Sequence, residues 1–101
     1  MDSLSRHRLF SARREAEGYL ELGLPDQALR SLQRRGKLVH GDGHGCYLMG
    51  EALREMRRHD EAVIPLRRSL ELIPDDIHAA LALAWCYKRC GLLQNAIEVL
   101  Q

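Results

Sequence analysis

Two histidines flank an aspartate in His40-Gly41-Asp42-Gly43-His44-Gly45, and imidazole with carboxylate is a donor set that suits zinc or nickel. Such a site needs three or four converging donors, and nothing in the sequence brings further ones to this segment. Its glycines do not make a phosphate loop, because no strand pattern precedes them and the spacing is wrong. Cys86 and Cys90 stand one helical turn apart, where two thiolates could share a helix face. As neighbours on a continuous helix they are poorly placed to pair with each other, so we expect both to be buried as small hydrophobes, like Cys46. The five histidines and fourteen acids show no nucleophile, base and orienting group in sequence relation. Catalysis is not expected, and no cofactor or metal is assigned. Arg13-Arg14, Arg34-Arg35, Arg57-Arg58 and Arg67-Arg68 lie in different segments, and the formal net charge is only +1. Solvated faces explain these pairs more simply than nucleic acid does.

The elements that carry these residues follow from a repeat. A shift of 34 residues superimposes Tyr19, Leu53 and Tyr87, then Ala28, Ala62 and Ala96, then Leu32, Leu66 and Leu100. Ala16, Gly50 and Ala84 form a further register of small residues, and Gly23 and Gly91 coincide with Arg57 between them. A period in the low tens of residues is the signature of a repeat architecture. The middle copy reads Cys46, Met49-Gly50, Leu53, Ala62, Leu66 and Pro74; the third reads Ala80, Leu83-Ala84, Tyr87, Ala96 and Leu100. The first reads Ala12, Glu15-Ala16, Tyr19, Ala28, Leu32 and His40, with a charge at an apolar slot and His40 in place of the closing proline.

In spacing and residue type these copies resemble the tetratricopeptide repeat family. The resemblance implies an all-α fold of antiparallel helix pairs stacked as a solenoid. We expect one domain over 1–101, with repeats near 9–42, 43–76 and 77–101, the last incomplete. The small registers let the paired backbones approach, while Tyr19, Leu53, Tyr87 and the leucine register fill the surrounding space. Gly50→Leu should therefore overpack the contact. Pro25 suits a first helical turn, Asp42 and Asp76 suit N-caps, Asp60-Glu61 suits a helix start, and Gly36 and Gly91 suit helix ends. Helices are expected near 3–22, 25–36, 43–57, 60–72, 76–90 and 93–101, with Pro65 inside the fourth. The aromatic content of 5% gives no support to a β-sandwich.

No apolar run approaches the roughly 18–20 residues that span a bilayer, and Met1–Arg8 has no apolar leader core. Three cysteines without framework spacing point to a reducing compartment, hence the cytoplasm.

In the family, the first helices of successive repeats line a concave groove. The resemblance places Arg13 and Glu17 there from the first repeat, with His44, Tyr47, Leu48, Glu51 and Arg54 from the second. His78, Leu81, Trp85 and Lys88 come from the third. Trp85 is the only tryptophan. Because Ala84 and Tyr87 claim the core side, it should project outwards as an aromatic anchor. Some members grip a partner's terminal carboxylate with a Lys/Asn/Asn/Lys/Arg clamp. The corresponding positions here are Arg13, Glu17, Leu48, His78 and Ala82, and Glu17 would repel a carboxylate. The expected partner is a peptide or protein segment with apolar anchors and mixed charge. The alternatives are a structural element self-associating as a homo-oligomer through Leu93, Ile97 and Leu100, or a small secretion-type chaperone. The self-association reading rests on the chain stopping at Gln101, in mid-helix by analogy, as an array cut there would. Trp85→Ala should abolish capture and leave such assembly intact.

Overall fold

The computed structural model describes residues 1–101 as seven helices with no strand. They are α1 (Ser3–Glu21), α2 (Pro25–Gln33), α3 (Gly36–His40), α4 (Gly43–Glu55), α5 (His59–Leu72), α6 (Ile77–Arg89) and α7 (Leu93–Val99). Helices α1 and α2, α4 and α5, and α6 and α7 form three antiparallel pairs. Each pair is handed to the next by α2 packing on α4 and α5 on α6. The stack measures 42 × 27 × 18 Å.

The small registers sit where helices come closest. Ala16, Ala28 and Ala62 are fully buried, and Leu32 and Leu66 fill the space beside them. A Cβ added at Gly50 would run into the branch of Leu66, so the missing side chain is what lets α4 lie against α5. Capping follows residue chemistry. Asp42 accepts from the Gly45 amide at 2.7 Å, and Asp76 accepts from the His78 and Ala79 amides at 3.0 and 3.3 Å. Pro25 occupies the first turn of α2, and Pro65 is buried inside α5.

The first helix of every pair ends in the same way. The amides of Leu24, Arg58 and Leu92 donate to the carbonyls of Tyr19, Leu53 and Tyr87 at 2.8, 2.9 and 2.8 Å, a six-to-one closure that needs a left-handed residue just before it. Gly23, Arg57 and Gly91 supply it with φ of 74°, 64° and 79°.

One helix departs from expectation. The segment expected over 25–36 breaks after Gln33, and Gly36 opens the short α3 instead of closing α2. The break turns Val39 into the core, where its carbonyl accepts from the Cys46 thiol at 3.2 Å. Glu15, the charge at an apolar slot, accepts from the buried Ser31 hydroxyl at 3.1 Å.

Candidate protein-binding surface

Between α1 and α4 the residues expected in a groove are brought together, and most are already engaged with one another. Arg13 lies 3.6 Å from Asp42, and Glu17 lies 3.6 Å from the His44 Nε2. The His44 ring stacks along Tyr47 with centroids 6.3 Å apart. Glu51 takes two bonds from Arg54, at 3.0 and 2.7 Å, which raises the Arg54 pKa further. Burial, reinforced by the Glu51 carboxylate, pushes the Tyr47 phenol above its ordinary range and keeps it neutral. Glu17, Tyr47, Leu48, Glu51 and Glu55 line a shallow hollow of about 310 Å³. Leu48, only 5% exposed, is the floor of that hollow and offers a partner little side chain to grip.

The third pair presents a different surface. Leu81 and Trp85 stand out from α6 with 53% and 45% of their area exposed, while Ala84 and Tyr87 on the other side are buried. Leu81 and Trp85 join Leu93, Ile97 and Leu100 of the α7 segment around an apolar pocket of about 360 Å³, floored by Ala84 and Ala96. The expected anchor and the residues expected for self-association thus share one pocket. Trp85→Ala consequently does not separate the two readings, and Tyr47 and Leu48 lie in a hollow of their own. His78 is exposed at the start of α6, outside both.

Across the indole from the apolar pocket lies a polar one of about 380 Å³, lined by Arg54, Glu55, Arg57, His59 and Arg89 together with Trp85. The Lys88 ammonium sits 5.3 Å and the Arg89 guanidinium 6.0 Å from the indole centroid, within cation–π range. Arg57, His59 and Arg89 were not expected at a site. The one sequence signal was Arg57, a side chain in a register otherwise held by glycine.

The provocative loop is taken up by structure. Asp42 caps α4 and faces Arg13, while the His40 carbonyl accepts from Arg68 at 3.0 Å and its side chain is exposed. Cys46 and Cys86 are buried as expected, but Cys90 is exposed. It is the C-cap of α6, where the chain turns away from the core.

A stack of helix pairs with open apolar and charged surfaces on successive first helices is a protein–protein interaction module. A tetratricopeptide repeat family model matches residues 43–76, the middle helix pair. The chain is similar to a protein solved as "Crystal structure of MamA", with a TM-score of 0.83 and 25% identity over 87% of this chain and 52% of that one. A second structure, "Crystal structure of MamA protein", gives a TM-score of 0.76 and 21% identity over 84% of this chain and 46% of that one. The chain spans about half the length of these structures. No curated protein matches it significantly. No helix is long and apolar enough to cross a membrane.

Proposed function

We propose that the chain binds a segment of a protein partner on its concave face, with Leu81 and Trp85 as apolar anchors. Arg13, Glu17, His44, Tyr47, Glu51, Arg54, His78 and Lys88 set the polarity around them. The observation that carries this reading is the exposure of a tryptophan and a leucine one turn apart beside a ready-made apolar pocket. Large aromatic residues exposed in such settings dominate recognition energies, because the partner removes so much apolar surface from water there. A terminal-carboxylate clamp is disfavoured. Glu17 is acidic, Leu48 and Ala82 are buried, and Arg13 already faces Asp42. The reading includes no catalytic step and no cofactor.

Self-association through Leu93, Ile97 and Leu100 is the second reading, supported by their exposure of roughly half or more. Tyr47 separates the two better than Trp85, since it lies in the α1–α4 hollow. Partner capture by the full chain should fall at least about tenfold in Trp85→Ala and weaken in Tyr47→Ala, with the mass by light scattering unchanged in the latter. Equal capture by wild type and Trp85→Ala removes the groove reading. A concentration-independent monomeric mass removes the self-association reading.

A further inference from the structure

We propose that the apolar pocket over α6 and α7 seats an α-helix of the protein partner, with small residues at i and i+7 against α7 and a large apolar residue against Leu81 and Trp85. This rests on the groove reading above and adds to it the conformation and residue pattern of the ligand.

The stack itself shows what covers such a surface. Leu29, Val63 and Ile97 share one register of the 34-residue frame, and Leu32, Leu66 and Leu100 another. Leu29 is buried where α2 packs on α4, Val63 is half-buried where α5 packs on α6, and Ile97 is exposed. Leu32 and Leu66 are buried as well, and Leu100 is exposed. The first helices tell the same story. Arg13 lies 3.6 Å from Asp42, the N-cap of α4. The Tyr47 phenol feels the carboxylate of Asp76, the N-cap of α6, and the Cys86 thiol of α6 feels Glu51 and Arg54. In the third pair the counterparts of Tyr47, Glu51 and Arg54 are Leu81, Trp85 and Lys88, which line the open pocket. That pocket is therefore the seat which the next first helix takes at each earlier junction.

The helices in those seats carry a common stripe. Gly45, Leu48 and Ala52 of α4, and Ala79, Ala82 and Cys86 of α6, stand at i, i+3 and i+7, and all are buried. Gly50, on another side of α4, faces Leu66 of its own pair, whereas Leu48 meets Leu20 and Glu21 of α1. The stripe thus faces the preceding pair, and its small residues let the backbones come close. The end seat differs in its rim. Earlier junctions present Arg13 and Tyr47, Glu17 and Glu51, and Pro25 and His59; the end presents Leu81, Trp85 and Leu93. Covering that apolar rim takes a large apolar residue on the flank of the incoming helix.

A second copy of residues 1–101 has no helix for the seat. The stripes of α4 and α6 are already buried within the stack. The same positions of α1 hold Ser11, Arg14 and Gly18, and the exposed Arg14 would be pressed into Ile97 and Leu100 as a desolvated charge. The partner supplies the helix.

The test uses the full chain and three labelled peptides the length of α1, built of Ala, Leu, Glu and Lys. The first has Ala along the stripe and Leu on its flank, the second exchanges Ala and Leu, and the third is the first with a central proline. Binding is followed by peptide anisotropy and by the emission of Trp85, the only tryptophan. The first peptide should bind at least about tenfold more tightly than the others, since leucines overpack the seat and an interior proline breaks the helix. Ile97→Glu, at an exposed position, should abolish that binding with the circular dichroism unchanged. Equal affinity of the proline peptide would overturn the helix and leave the groove reading in place. Equal affinity of the exchanged peptide would overturn the stripe. A mass that doubles with concentration, together with a shift in Trp85 emission, would give the seat to a second copy. If no peptide binds, the helix seat fails, while the groove reading stands or falls on partner capture by Trp85→Ala.

Discussion

Arg57 occupies its turn against the preference of its own backbone. A left-handed conformation costs an L residue roughly 1–2 kcal/mol, and glycine gives back part of that through the entropy of the unfolded chain, about 0.5–1 kcal/mol. Arg57→Gly should accordingly raise stability by about 0.5–1 kcal/mol, read as a higher urea midpoint at unchanged slope. The same substitution removes a charge from the lining of the polar pocket. Cysteine chemistry is also settled residue by residue. Cys90 is exposed, while burial raises the Cys46 thiol and pushes the Cys86 thiol up to about 11, with Arg54 opposing only in part. An aromatic disulfide reagent at pH 8 should therefore label Cys90 rapidly and the other two only on unfolding. Between the ordinary thiol value of 9.0 and about 11 the folded state holds a proton at Cys86 that the unfolded chain releases. The stability this contributes is intact below pH 9 and is lost as pH rises through that window; Cys86→Ala should flatten the alkaline limb of a stability–pH curve.

At the level of elements, the approach of α4 to α5 depends on one complementary pair. Leu66 is fully buried and its branch fills the space a Cβ at Gly50 would need. Gly50→Ala should cost about 1–3 kcal/mol by overpacking, and Leu66→Ala about 2–5 kcal/mol by leaving a void. Combined, they should cost less than their sum by about 1 kcal/mol, because each relieves the other's defect. A denaturant-based double-mutant cycle with strictly additive terms would refute this. The pair also shows why so much of the fold was legible beforehand. Small residues, caps and turn glycines act through local backbone geometry, so their 34-residue spacing alone located six of the helices. What escaped was set by tertiary packing. Gly36 reads as a stop, yet the burial of Val39 restarts the chain as α3. Cys90 shares a helical periodicity with Cys86 but falls on the cap, past the last buried turn. Trp85 could be assigned to the outer face from Ala84 and Tyr87. Its place in two pockets depends on how α7 folds back over α6 on one side and how the turn from α4 to α5 meets α6 on the other, which no single-helix pattern encodes.

Over the whole molecule, stability should be graded along the stack. Each pair contacts only its neighbours, so the middle pair is supported on two sides and α7 on one. Amide exchange should be slowest in α4 and α5 and fastest in α3 and α7, the two shortest helices. Uniform protection across all seven would contradict the nearest-neighbour picture. Acidic side chains of Glu17, Glu21 and Glu51 line the hollow between α1 and α4, Glu55 borders both that hollow and the polar pocket, and Arg57 and Arg89 line the polar pocket beside the indole. The three matching turns at Gly23, Arg57 and Gly91 place a lever under this arrangement. Each is the single joint through which one helix is aimed at the next, and a small rotation at Arg57 swings α5, α6 and α7 as a unit. A residue there that cannot hold a positive φ would shift both walls of the indole site by ångströms without altering any side chain that lines it. The geometry of both pockets beside Trp85 is thus governed from the joints of the stack as much as from its faces.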